Sequence, residues 1–353
     1  MVTANQVTLG RLLLLPVPVG LMAAGMARPD GGDRTPWLLA ALLAYVLLGL
    51  TDLWDGHLAR RQGATPLGSL LDPLADKVFL VASYGLLAHY RVVPWVPVAI
   101  LFIRELGVTA LRSVALEEAF SFTTSRVAKL KTMVQMAGGG FLLLIWLFPR
   151  DAVIAPILGV SAGLALLPTA RALLAGRTPG WSALWLGGMM SMVALCRRIL
   201  PPAPSVAMIL WVIVGFTVVS AVEYVLGMRA VLAARFSRSP REGLRLALLS
   251  LSVPVWTLPL LVRPGAPVYT VLGVLAVELA LGGLDNSLAQ AGIRRAGGRD
   301  LLRGVLQLAG GLAALATGSP LAAASVLLVT LTDLAIRLAE ALRMHVFRLL
   351  PRT

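Results

Sequence analysis

The sequence predicts an all-α polytopic membrane protein of about twelve spans, from three observations. First, 58% of its residues are hydrophobic and 14% charged, with a mean hydropathy of +0.84. That is far more apolar surface than one soluble core hides, so the bilayer must be the solvent. Second, the chain offers roughly a dozen apolar runs near the twenty-odd residues a helix needs to cross hydrocarbon, separated by short Pro, Gly or Arg-rich joints. Third, strand-like alternation and long soluble insertions are absent.

Taken in order, the predicted spans are 9–27, 37–57, 68–90, 93–113, 128–148, 152–174, 182–198, 206–228, 244–262, 267–289, 301–317 and 320–342. The first ends in small residues and mimics a signal peptide cleaved near Ala27. An uncleaved span is expected, because Asn5, Thr8 and Arg11 lie before the apolar run Leu12 to Ala27 and are needed below. The formal charge of +14 would suggest nucleic acid in a soluble protein. Here the arginines cluster at the ends of apolar runs: Arg60 and Arg61, Arg126 with Lys129, Arg171 and Arg177, Arg229 to Arg245, Arg294 to Arg303, and the tail after Arg343. With both termini inside, these clusters fall on the cytoplasmic face, as the positive-inside rule requires. The single cysteine, Cys196, lies in an apolar run, which excludes a disulfide framework and a thiolate metal site. No repeat of fixed period is evident. The echo of Leu50-Thr51-Asp52-Leu53 in Leu331-Thr332-Asp333-Leu334 lacks the Asp-Gly that follows the first copy.

The chemistry is concentrated where the second and third spans meet. The chain reads Asp52-Leu-Trp-Asp55-Gly56-His-Leu-Ala59-Arg60 and then, after seven residues, Gly68-Ser-Leu-Leu-Asp72-Pro-Leu-Ala-Asp76-Lys77. Residues at i, i+3, i+4 and i+7 share a helix face, so Asp52, Asp55, Gly56 and Ala59 form one stripe, and Asp72 and Asp76 another. A short loop makes the two helices antiparallel neighbours whose stripes converge. Four carboxylates in one volume repel unless cations neutralise them, and all-oxygen ligation suits Mg²⁺, Mn²⁺ or Ca²⁺, at one or two ions. Gly56 and Ala59 remove bulk, so that a diphosphate can approach the backbone, and Arg60 supplies a planar donor. Pairing with Arg60, Arg61 and Lys77 would account for single aspartates, but not for their spacing together with small residues on the same face.

This spacing, D-x2-D-G-x2-A-R-x(7–8)-G-x3-D-x3-D with every fixed position met, resembles the signature of the CDP-alcohol phosphotransferases. The resemblance implies a six-helix catalytic core plus extra transmembrane helices. It implies that Asp52, Asp55, Asp72 and Asp76 hold Mg²⁺ or Mn²⁺, with Asp76 also the general base. Asn5, Thr8, Gly56, Ala59, Arg60 and Gly68 would then line the CDP site. It further implies CDP-diacylglycerol as donor, a bacterial inner (cytoplasmic) membrane with the active site facing the cytoplasm, and homodimers, whose interface the extra helices would cover or replace. The stretches Asn5-Gln-Val-Thr8-Leu-Gly-Arg11, Asp72-Pro-Leu-Ala-Asp76-Lys77, Ile103-Arg104-Glu105, Ala110-Leu-Arg112 and Lys129-Leu-Lys131-Thr132 are similar to the phosphatidylglycerophosphate synthase branch. That branch implies sn-glycerol 3-phosphate as acceptor, with Arg104, Arg112, Lys129 and Lys131 as candidates to bind its phosphate; an inositol phosphate or serine is the alternative alcohol. Snorkelling to lipid headgroups is the competing role for Arg112, Lys129 and Lys131. Arg104 lies deeper and needs either Glu105 or a substrate phosphate as partner. One departure is Ala64-Thr65-Pro66-Leu67, where a basic residue is expected before Gly68.

Residues 1–235 are therefore expected to form the catalytic domain, with a two-span insertion near 152–200, and 236–353 an accessory four-span region. Val218-Val-Ser-Ala-Val-Glu223-Tyr224 resembles the family's last core helix, although 152–174 is the rival for that position. The accessory spans carry Glu278, Asp285, Asn286, Asp333 and Glu340, for which Arg299, Arg303 and Arg337 are the expected partners. A transporter or lipid-handling protein is the alternative class. It would call for inverted repeats and a midplane site, whereas the acidic signature sits at one membrane face.

Overall fold

The computed structural model describes residues 4–28, 34–62, 66–118, 126–178, 181–238, 240–262, 267–290, 292–293 and 298–343. The elements among them are thirteen helices: α1 (Ala4–Leu14), α2 (Pro16–Met26), α3 (Thr35–Gln62), α4 (Pro66–His89), α5 (Trp95–Glu117), α6 (Arg126–Leu147), α7 (Asp151–Leu174), α8 (Trp181–Ile199), α9 (Pro202–Arg238), α10 (Pro240–Val262), α11 (Val268–Gln290), α12 (Gly298–Thr317) and α13 (Pro320–Arg343). Helices satisfy every backbone donor and acceptor internally, the condition for crossing hydrocarbon. Five stretches are long and apolar enough to cross, Gln6–Met26, Ala152–Leu174, Pro202–Ser237, Val268–Gln290 and Pro320–Arg343; Thr35–Thr51 and Val134–Leu147 are shorter apolar segments. The chain is an all-α integral membrane protein.

The first apolar stretch is two helices joined at Leu15. Pro16 and Pro18 lack amide hydrogens, so the helical ladder is interrupted there. α1 packs on α3 and α4, α2 on α3, and α6 on α3 and α9, with α5 also against α9. α7 and α8 form a hairpin that touches the rest mainly through α8. α10 to α13 form a second bundle docked through α10 and α11 onto α4 and α5. One continuous core links Met22, Leu38, Tyr84, Phe102, Ile213 and Val271, while Leu13, Leu43, Leu164 and Leu226 are exposed as a lipid-facing surface.

In lipid, close packing rather than water exclusion holds helices together, and small residues permit it. On α6, an added Cβ at Gly139 would collide with the Tyr45 hydroxyl and one at Gly138 with Ile213. This close approach lets the Tyr84 hydroxyl donate to the Gln135 carbonyl at 2.7 Å and that of Tyr45 to the Met136 carbonyl at 3.3 Å. Both tyrosines thereby tie α6 to α3 and α4 just beyond its polar end.

Candidate active site

The described part of the site is built from α1, α4, α5, α6 and α9. Thr8 and Arg11 on α1 are buried, and Arg11 Nη2 lies 3.2 Å from Asp76 Oδ1 on α4. Two residues anticipated from separate stretches of sequence are thus brought into one ion pair. The neighbouring Lys77 donates to Thr109 Oγ1 on α5 at 2.5 Å, and Thr109 in turn donates to the Glu105 carbonyl at 2.6 Å.

Glu105 is the hub of a buried cluster. Its Oε1 accepts from Arg104 Nη1 at 2.7 Å, from Lys131 Nζ on α6 at 2.7 Å and from Gln135 Nε2 at 3.2 Å. α9 closes the cluster: Arg104 donates to the Thr217 carbonyl at 3.2 Å and to Ser220 Oγ at 3.0 Å, and Gln135 to Thr217 Oγ1 at 3.0 Å. Of the two partners anticipated for Arg104, Glu105 is the one it meets. Lys77 lies within electrostatic range of Arg104, Glu105, Arg112 and Lys131, and Lys131 within range of Asp76. Arg112 is exposed.

Near Asp76, then, the described side chains include Arg11, Lys77, Arg104 and Lys131, with Glu105 as the carboxylate that Arg104 and Lys131 share. Buried cations gathered near a carboxylate could also serve an anionic ligand. The side chains of Asn5, Asp52, Asp55, Gly56, Ala59, Arg60, Gly68, Asp72 and Lys129 lie outside the described residues. Among the described residues, no three His, Cys, Asp or Glu side chains group as metal ligands. The helices that carry the aspartates meet where the rings of Tyr45 on α3 and Phe79 on α4 lie 4.5 Å apart. Positions 52 and 72 are each seven residues from that contact, two helical turns. Oxygen donors of this kind suit a hard divalent cation.

Sequence reasoning did not anticipate Thr109, Gln135, Thr217 or Ser220. Gln135 was detectable in principle, since a glutamine inside an apolar run needs a buried partner.

Residues 1–170 match the family model described as CDP-alcohol phosphatidyltransferase. The Bacillus subtilis (strain 168) CDP-diacylglycerol–glycerol-3-phosphate 3-phosphatidyltransferase is 32% identical over 145 residues, covering 40% of this chain and 75% of that protein. The chain belongs to the CDP-alcohol phosphatidyltransferase family. Family members bearing the same printed name include one from Rickettsia typhi, 33% identical over 143 residues (40% of this chain, 75% of the relative), and one from Pectobacterium atrosepticum, 37% identical over 130 residues (35% and 68%). The family match ends within α7, so α8 to α13 lie beyond it.

Proposed function

We propose that the chain transfers a phosphatidyl group from CDP-diacylglycerol to sn-glycerol 3-phosphate, giving phosphatidylglycerophosphate and CMP. The observation that carries this reading is the cluster of buried cations, Lys77, Arg104 and Lys131, gathered around Glu105 near Asp76, which would form a pocket for a phosphate. A phosphorylated alcohol needs such a pocket next to the base, and the names of the family relatives point to the same alcohol.

Asp76 would accept the proton of the acceptor hydroxyl, whose oxygen forms a bond to the phosphorus bearing the lipid as the bond from that phosphorus to CMP breaks. Arg11, 3.2 Å from Asp76, would fix the position of that carboxylate. Lys131 and Arg104, anchored on Glu105, would draw in the acceptor phosphate, with Arg112 and Lys129 nearer the entrance. Asn5, Thr8, Gly56, Ala59, Arg60 and Gly68 would hold the cytidine diphosphate. Asp52, Asp55, Asp72 and Asp76 would hold one or two Mg²⁺ or Mn²⁺, which when bound neutralise the diphosphate and stabilise the departing CMP.

The hydrogen bonds from Arg104 and Gln135 to Thr217 and Ser220 support α9, rather than α7, as the sixth helix of the catalytic core. The α7–α8 hairpin is then the insertion, and α10 to α13 the accessory region. The arginine-rich helix ends support an inner-membrane enzyme working at the cytoplasmic face.

The test is CMP release by the purified chain with CDP-diacylglycerol and Mg²⁺ or Mn²⁺, comparing glycerol 3-phosphate, myo-inositol 1-phosphate, serine and no acceptor. Metal-dependent release with glycerol 3-phosphate alone is expected. Release with serine alone would refute the phosphate pocket, release with inositol phosphate alone would change the alcohol, and no release would remove the enzyme reading.

A further inference from the structure

The accessory bundle repeats the catalytic one, helix for helix. α10, α11, α12 and α13 pack among themselves as α4, α5, α6 and α9 do: the first of each set touches the second and third, and the fourth touches the second and third. Three of the four pairs agree in length, at 24 and 23 residues for α4 and α10, 23 and 23 for α5 and α11, and 22 and 20 for α6 and α12, whereas α9 has 37 residues and α13 has 24.

The polar contacts of the two glutamates agree in part. In the first bundle Glu105 accepts from Gln135 and pairs with Lys131, four residues earlier on the same helix. In the second, Glu278 accepts from Gln307 and pairs with Arg303, again four residues earlier. The glutamate-to-glutamine separations are 30 and 29 residues. Each glutamine is followed by x-Ala-Gly-Gly, and the glycines do the same work. A Cβ at Gly138 would strike Ile213 and approach the Tyr84 hydroxyl; a Cβ at Gly310 would strike Val326 and approach Trp256. In that register Thr217 and Ser220 of α9 fall on Thr330 and Asp333 of α13. Thr217 and Thr330 are both fully buried; Ser220 accepts from Arg104 of α5, whereas Asp333 accepts from Arg303 of α12, the counterpart of Lys131.

The two bundles also meet reciprocally. α4 packs on α11 and α10 packs on α5, while α5 and α11 face one another. This is the contact pattern of a twofold axis, and it passes where the ideal Cβ of Gly282 lies 3.7 Å from Thr109 Cβ. Counted from Glu105 and Glu278, Thr109 and Gly282 occupy the same position.

We propose that α10 to α13 are a diverged internal copy of α4, α5, α6 and α9, docked on them about this pseudo-twofold axis as a catalytically silent partner within one chain. Silence follows from what the copy lacks. Counted from Tyr84 and Trp256, the positions of Asp72 and Asp76 are Leu244 and Leu248, and α10 contains no aspartate. Arg303 and Arg337 are enclosed by Glu278, Asp285, Asp300 and Asp333, with Arg337 Nη1 3.1 Å from Asp285 and Arg303 Nη1 2.7 Å from Asp333. An anionic substrate would meet carboxylates there. The retained role of the copy is to hold α5 through Gly282, and with it the Thr109 that receives Lys77.

The closing experiment reads geometry and does not depend on activity. In full-length Cys196→Ser protein in detergent, Thr109→Cys with Gly282→Cys should oxidise to a disulfide within one chain, because their Cβ separation of 3.7 Å is that of natural disulfides. A band at twice the mass, or two persistently free thiols in folded protein, would overturn the docking. If that variant fails to fold, a photo-crosslinking phenylalanine analogue at Tyr269, whose hydroxyl meets that of Tyr90 at 2.8 Å, should capture α4 of its own chain; capture of a second chain would overturn the docking equally. Silence is read with Gln307→Leu, which should lower the melting temperature by several degrees with the acceptor KM unchanged. A severalfold rise in that KM would show that the second bundle binds substrate and refute a silent partner.

Discussion

Lys131 reaches from α6 to the Glu105 carboxylate on α5, 2.7 Å away and almost wholly out of contact with the surroundings. The pair holds a cation at the depth of the candidate site, but Arg104 shares the same carboxylate, so the positive charge is only partly offset. Under the proposed function, structure and recognition are served by the same side chains.

Glu105→Gln leaves Arg104 and Lys131 without their buried counter-charge. Removing one member of a buried pair typically costs about 3–5 kcal/mol, so the variant should melt markedly lower in detergent, measured by intrinsic fluorescence. A melting temperature equal to the parent's would mean that the cluster is hydrated.

Lys131→Met keeps the length of the side chain and removes its charge. The acceptor KM should rise on the order of tenfold or more while the KM for CDP-diacylglycerol stays within about twofold. The opposite selectivity would assign Lys131 to the nucleotide half of the site.

Asp76→Asn keeps shape and removes the proton acceptor. Turnover should fall by roughly two to four orders of magnitude, with retained CDP-diacylglycerol binding by equilibrium dialysis. Near-normal turnover would end the base assignment.

Removal of divalent cations with EDTA should abolish CMP release, and Mg²⁺ or Mn²⁺ should restore it, with unchanged helical circular dichroism throughout. Release that persists in EDTA would contradict the four-aspartate site.

Gly282→Val places its Cβ 2.7 Å from Thr109 Cγ2, closer than the two helices tolerate. Displacing Thr109 moves the acceptor of the Lys77 hydrogen bond, so kcat/KM should drop roughly tenfold or more. Gly163→Val, at an exposed position on α7 with open space around its Cβ, is the control and should be silent.

Composition and apolar runs were enough to read an all-α membrane protein, because lipid permits few alternatives. The Asp52-to-Asp76 spacing was enough to indicate the family, because it meets every fixed position of the signature it resembles. The cluster around Glu105 was not legible. It joins α5, α6 and α9, and nothing in a linear pattern says which three helices meet, least of all with the α7–α8 hairpin between two of them. The same hairpin hides the resemblance of the two halves. Glu105 and Glu278 are one interval apart, Thr217 and Thr330 a much shorter one, so no fixed period exists to be found. The Leu50–Leu53 echo pointed elsewhere: Asp333 answers to Ser220 on α9, not to Asp52 on α3.

The seating of α11 on α5 also orders events during synthesis. α5 ends at Glu117 and α11 begins at Val268, so at ordinary elongation rates roughly 10–30 s separate their emergence from the ribosome. Throughout that interval the α4–α5 face meets lipid instead of protein, and Thr109 has no Gly282 against it. The nascent catalytic bundle is thus inserted long before it is braced, and quality control of this membrane protein has its widest opening before the last four helices arrive.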